Sequence, residues 1–123
     1  MGVEAEPGDL LGRTKRLALR VMKLVDALPP SRSAGVVGNQ LLRSATSVGA
    51  NYRSARRGRS AAEFRAKLGI VEEEADETIY WLELAVEGGL VKLELLQPLL
   101  LEANEILAMV IASIRTSRNH TSK

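Results

Sequence analysis

The residues with the most chemistry to offer lie between Asn51 and Lys67, where Arg53, Arg56, Arg57, Arg59, Arg65 and Lys67 face a single acid, Glu63. A guanidinium is a planar fork of donors that pairs with two oxygens at once, so clustered arginines suit phosphate capture or pairing with an acidic surface. The same stretch carries helix punctuation. Gly58 is placed to take the left-handed conformation that closes a helix, and Ser60 followed three residues later by Glu63 is a capping box. A basic corner between two helices is therefore expected.

Other routes to chemistry are weaker. His120 is the single histidine and stands in the tail, so a histidine-based zinc or iron site is not expected. Glu73, Asp76, Glu77 and Glu83 share helical spacings, but a di-metal bundle also needs Glu-x-x-His pairs, and the sequence has none. They read as a solvated acidic face. Gly35, Gly38 and Gly49 do not fall in the order of a phosphate loop, and no base is spaced to activate a serine. No catalytic residue, metal or cofactor is expected, and the chain does not read as an enzyme.

With 123 residues, the chain is long enough for one domain with a single core. Hydrophobic residues make up 46% of it and aromatics 3%, so the core must be built of Leu, Val, Ile and Ala, a mixture that favours helices. The absence of cysteine and an acidic start, Met1 to Pro7, lead to the expectation of a cytoplasmic protein. The most apolar segment, Leu95 to Ile114, is interrupted by Pro98, Glu102, Asn104 and Glu105, so no membrane partner is expected. A net charge of +2 names no partner, and the electrostatic argument rests on where the charges lie.

Residues 1–8 lack periodicity and read as a disordered lead-in to a bundle over 9–117, followed by a frayed tail, 118–123. The first predicted helix, about 10–28, has Asp9 as N-cap and an apolar stripe of Leu10, Thr14, Leu17, Val21, Leu24 and Leu28, with Arg13, Lys15, Arg16, Arg20 and Lys23 turned to solvent. Pro29-Pro30 ends it. The second, about 33–57, is capped by Ser31 or Ser33 and buries Val37, Leu41, Ala45, Val48, Tyr52 and Ala55. Its many small residues, Gly38 and Gly49 among them, fit close helix approach or a ligand resting on backbone. The third, about 60–87, carries Phe64, Leu68, Val71, Ala75, Ile79, Leu82 and Val86 and ends at Gly88-Gly89. The fourth, about 94–116, has one face of Leu96, Leu100, Ala103, Leu107, Val110 and Ile114 and a second of Leu99, Leu101, Ile106, Met109 and Ile111.

Short connections force neighbours antiparallel, so the fold class is all-α, an up-down-up-down four-helix bundle. That topology gathers Arg13, Arg16, Arg53, Arg56, Arg57, Arg59, Arg65 and Lys67 at one pole as candidate nucleic-acid-binding residues. Trp81, Leu84, Leu101 and Met109 lie off the core stripes and are candidate oligomer contacts. Two classes of function remain open: binding of RNA or DNA phosphates as a ribonucleoprotein accessory factor, and a structural or protein-interaction module whose basic pole meets an acidic partner.

Gln40 to Arg53, with its Ser47-Val48-x-x-Asn51 core, together with Glu63-Phe64, Lys67-Leu68, Glu73 to Thr78 and Tyr80-Trp81-Leu82-Glu83-Leu84, resembles the intervening-sequence proteins of 23S ribosomal RNA genes, over about residues 12–116. The resemblance implies an all-helical bundle, assembly into a homopentamer, and no defined catalytic activity. More distantly the chain is similar in fold to the accessory protein of diversity-generating retroelements, a basic pentamer that binds nucleic acid and a reverse transcriptase.

Overall fold

The computed structural model describes residues 9–121, so the expectations for 1–8 and for the last two residues fall outside the described residues. Four helices follow one another: α1 (Leu10–Asp26), α2 (Arg32–Arg56), α3 (Ala61–Glu87) and α4 (Leu93–Thr121). Each packs on its chain neighbour, α4 closes against α1, and neither diagonal pair brings its backbones close together. This is the antiparallel four-helix bundle.

The helix ends follow from local chemistry. The Asp9 carboxylate accepts from Gly12 N at 3.1 Å and the Ser31 hydroxyl from Ala34 N at 3.2 Å. Ser60 accepts from Glu63 N at 3.0 Å, while Glu63 Oε1 accepts from Arg59 N at 2.8 Å, one residue ahead of the N–H that a capping box would use. Gly58 does not adopt the expected left-handed conformation; among the described residues Gly89 alone has positive φ, 76°. What requires glycine at 58 is proximity, because a Cβ there would stand 3.1 Å from the Ala55 carbonyl oxygen. At the end of α3, Leu90 N donates to Ala85 O at 2.9 Å and Gly89 N to Val86 O at 3.0 Å, the paired bonds of a Schellman cap. α4 continues to Thr121, past the expected end at 116 and through part of the expected tail.

The core runs the length of the bundle. Leu10, Thr14, Leu17 and Val21 of α1 and Val37, Leu41, Ala45, Val48, Tyr52 and Ala55 of α2 are buried, as their spacing predicts. In α3, Leu68, Val71, Ala75, Ile79 and Leu82 are buried, but Phe64 and Val86 only partly, since both lie near the ends where fewer neighbours close over them. In α4 the buried face is Leu96, Leu99, Ala103, Ile106, Val110 and Ile114, which draws on both expected faces. By length and mean hydropathy α4 is apolar enough to cross a bilayer over Leu93–Asn119, despite its internal charges. Here it lays that buried face into the core.

Three buried hydroxyls are each satisfied. Thr14 donates to Leu10 O at 2.6 Å, and the Ser44 and Thr78 hydroxyls lie 3.0 Å apart between α2 and α3. The small residues of α2 serve close approach at two points. A Cβ on Gly38 would lie 3.2 Å from Leu28 Cδ1, and one on Gly49 3.3 Å from Thr14 Oγ1, whereas nothing lies within 4 Å at Gly35. α1 can therefore sit low on α2, and it leaves a groove beside Gly49.

Candidate nucleic-acid interface

Helical spacing puts Arg53 and Arg57 one turn apart on the solvent face of α2, with Arg56 beside them and Arg59 in the turn that follows. Cations in the last turn of a helix are favoured by its partial negative charge, so α2 tolerates this density at its end. All four arginines are exposed, and among the described residues none makes an ion pair. Glu63, the acid nearest in sequence, has a carboxylate oxygen committed to the Arg59 backbone N–H.

Arg53 and Arg57 form a ridge between two grooves. On the α1 side is a groove of about 590 Å³, with Leu11, Ala18, Gly49 and Ala50 among its walls and Lys15, Arg53, Arg56 and Arg57 as its cations. On the α3 side is one of about 450 Å³, where Arg53, Arg57, Arg59 and Lys67 meet Ser54 and Glu63. The structure thus brings together Arg53, Arg56, Arg57, Arg59 and Lys67 of the predicted site and sets beside them Lys15, a first-helix cation that the sequence also places at this pole.

The remaining candidates are placed elsewhere. Arg13 does not face solvent freely. Its Nε donates to Glu102 Oε2 at 2.8 Å, and its Nη2 donates to Glu102 Oε1 and to Glu105 Oε1, both at 2.6 Å. These bonds hold the Glu102 carboxyl below the usual carboxylate range, against the opposing effect of burial, and raise the Arg13 pKa. Arg16 is exposed and close enough to add to the positive field at Glu102. Arg65 reaches across to α4, with Nη1 3.4 Å from the Ser117 hydroxyl.

Away from the pole the charge is reversed. Glu72, Glu73 and Asp76 line an α3–α4 groove with Leu107 and Ile111. Arg43 pairs with Glu74 at 3.2 Å and also with Glu77, whose carboxyl is held low by the Trp81 indole N–H at 3.1 Å and by Arg43. Among the described residues no three potential metal ligands cluster. Of the predicted oligomer contacts, Leu101 is 58% exposed, Trp81 and Leu84 are half-buried, and Met109 packs on the core and accepts a 3.2 Å contact from Arg13.

Fold and site together define an antiparallel four-helix bundle with an unneutralised basic corner. The chain belongs to the 23S rRNA-intervening sequence protein family, whose profile matches residues 9–112. It is similar to a protein with unknown function from the S23 ribosomal protein family of Bacteroides thetaiotaomicron. The two are 34% identical, the match covers 85% of this chain and 97% of that one, and the TM-score is 0.80. No curated protein matches the chain.

Proposed function

We propose that the protein is a non-enzymatic, oligomeric accessory factor that binds RNA or DNA phosphates with the corner formed by the end of α2 and the start of α3. The observation that carries this reading is the set Arg53, Arg56, Arg57 and Arg59, exposed and without ion pairs, flanked by Lys15 and Lys67 in two adjoining grooves. Isolated like charges held this close repel one another, and a polyanion relieves the repulsion while releasing its own counterions. The family's name supports an RNA setting. Affinity should fall steeply with salt, with a log–log slope of about −3 if ~4 phosphates of a single strand are neutralised per chain.

The test replaces Arg53, Arg56, Arg57 and Arg59 together by Gln and measures retention of single- and double-stranded RNA and DNA at low salt. Binding should be lost with helicity intact, while Lys123→Gln should leave it unchanged. Equal binding by the quadruple variant, or none by the wild type, would refute the reading. A second reading, an interaction module built on self-association, is favoured by exposed Tyr80, Leu93, Leu95 and Leu101 on α3 and α4. The homopentamer implied by the resemblance is tested by sedimentation, where a 13.4 kDa monomer at micromolar concentration would exclude it.

A further inference from the structure

We infer that the groove between α1 and α2 is a nucleobase pocket, so that the preferred ligand of the basic corner is a single strand with one base turned into the protein rather than a duplex. The inference rests on the phosphate-binding reading and adds a reason for the shape of the site. Phosphate capture alone needs cations but no apolar recess. Here Arg53, Arg56, Arg57 and Lys15 instead surround a recess of about 590 Å³ whose other walls are the apolar Leu11, Ala18, Gly49 and Ala50. That volume lies in the range of pockets that enclose small organic groups, ~300–1,000 Å³. A ligand that fills both parts joins a weakly polar body to an anionic chain, and a base on its sugar-phosphate does so.

Recognition in the groove does not need an aromatic platform. Tyr52 is buried and unavailable, but guanidinium planes stack on bases, and Arg53, Arg56 and Arg57 all border the recess. Gly49 puts no side chain into the recess, and α1 comes so close to it that a Cβ would stand 3.3 Å from Thr14 Oγ1. Thr46 Oγ1 commits its proton to the Leu42 carbonyl at 2.8 Å and so offers lone pairs, suiting an amino or imino N–H on the base edge. Beyond the Arg53–Arg57 ridge, the second groove is polar, with Arg59 and Lys67 placed to hold the neighbouring phosphate. A duplex keeps its bases stacked inside and can reach the rim cations but not the floor.

The test measures fluorescence anisotropy with oligonucleotides of equal length: an intact single strand, the same strand with abasic sites, a duplex and a free mononucleotide. It is run on the wild-type chain, on Ala18→Leu and Ala18→Phe, which fill this groove without touching the second, and on the quadruple Arg→Gln variant. The intact strand should bind about tenfold more tightly than the abasic one, the scale of one stacked base. The mononucleotide, which cannot reach the second groove, should bind more weakly than the strand. Each filling variant should lose about tenfold for the intact strand and nothing for the abasic strand or the duplex, with circular dichroism checking the fold. If a filled variant misfolds, the wild-type comparison of intact with abasic strand still decides. Equal affinity for those two, or tighter binding of the duplex, overturns the pocket and leaves phosphate binding standing. Failure of every nucleic acid to bind overturns both. Polyglutamate binding as tightly as the intact strand would overturn the pocket in favour of an acidic protein segment.

Discussion

Arg13→Ala should destabilise the bundle by about 2–3 kcal/mol while sparing nucleic-acid binding. The Arg13 and Glu102 side chains are 14% and 22% exposed, and their two bonds of 2.6 and 2.8 Å form a bidentate pair in a largely desolvated seam. Hydrogen bonds to charged groups contribute about 1.5–3 kcal/mol where water is partly excluded. Glu105 is 65% exposed, so its 2.6 Å bond adds no more than the ~0–1 kcal/mol of a surface pair. Glu102 retains some contact with water once Arg13 is gone, which keeps the cost below the ~3–5 kcal/mol of a fully buried charge left unpaired. The α1–α4 seam is the thinnest of the four helix contacts, so little else there offsets the loss. For a domain of this size the change corresponds to roughly 10 °C in Tm. Urea midpoints for Arg13→Ala, Glu102→Gln and the double variant, at one protein concentration, close a double-mutant cycle, and a coupling of at least ~1 kcal/mol is expected. Coupling below ~0.3 kcal/mol would show that the pair is loose and return Arg13 to the basic corner, as would a loss of nucleic-acid affinity in a well-folded Arg13→Ala protein.

Acid sensitivity should track the same pair. Because Arg13 holds the Glu102 carboxyl below its ordinary value, the unfolded chain takes up the proton first as pH falls. The stabilisation is complete above the unfolded carboxylate pKa of ~4.3 and is lost as pH falls through the lower folded value; urea midpoints over about pH 3–6 should show a flatter acid limb in Arg13→Ala than in wild type. Gly35→Ala and Gly69→Ala should each raise stability by up to ~1 kcal/mol, since both are helical and have nothing within 4 Å of the added Cβ. Gly49→Ala, whose Cβ would meet Thr14 Oγ1 at 3.3 Å, should gain nothing in the same denaturation assay; an equal gain at all three sites would mean that Gly49 is not a packing glycine. Phe64→Ala should cost about 1–2 kcal/mol because the ring is only partly buried, and a loss of the ~3–5 kcal/mol typical of core aromatics would place it in the core after all.

Helix count, order and antiparallel arrangement were legible because two signals agreed: apolar residues recurred at helical spacing, and proline or glycine broke the pattern at each connection. The phase of α1 and α2 was legible for a related reason. Opposite Leu17 and Val21 stand exposed Lys15 and Lys23, and opposite Leu41 and Val48 stand exposed Arg43 and Thr46, so the polar residues mark the solvent face. α4 offers no such contrast. Leu99, Leu100 and Leu101 are consecutive and equally apolar, yet they are buried, half-buried and exposed in turn. Periodicity cannot choose among them, and the choice belongs to the residues of α1 and α3 that meet α4 in the fold.

The basic corner was legible for a different reason from its composition. A chain position fixes which end of a bundle a backbone atom reaches, but a long cationic side chain then searches several ångströms for a carboxylate, and the partner can be remote in sequence. Arg13 and Glu102 are 89 residues apart, and nothing in either neighbourhood announces the pairing. It forms because α1 and α4 lie side by side with an acid within reach. Arg53, Arg56, Arg57 and Arg59 have no comparable acid beside them: the α1 face across the larger groove presents Leu11, Lys15 and Ala18, and one oxygen of the Glu63 carboxylate in the other groove is engaged by the Arg59 backbone. Among the described residues Arg53, Arg56, Arg57 and Arg59 make no ion pair, and the single carboxylate in these two grooves, Glu63, faces several cations at once; it is this local scarcity of acid, more than the number of arginines, that leaves the corner open to an external anion.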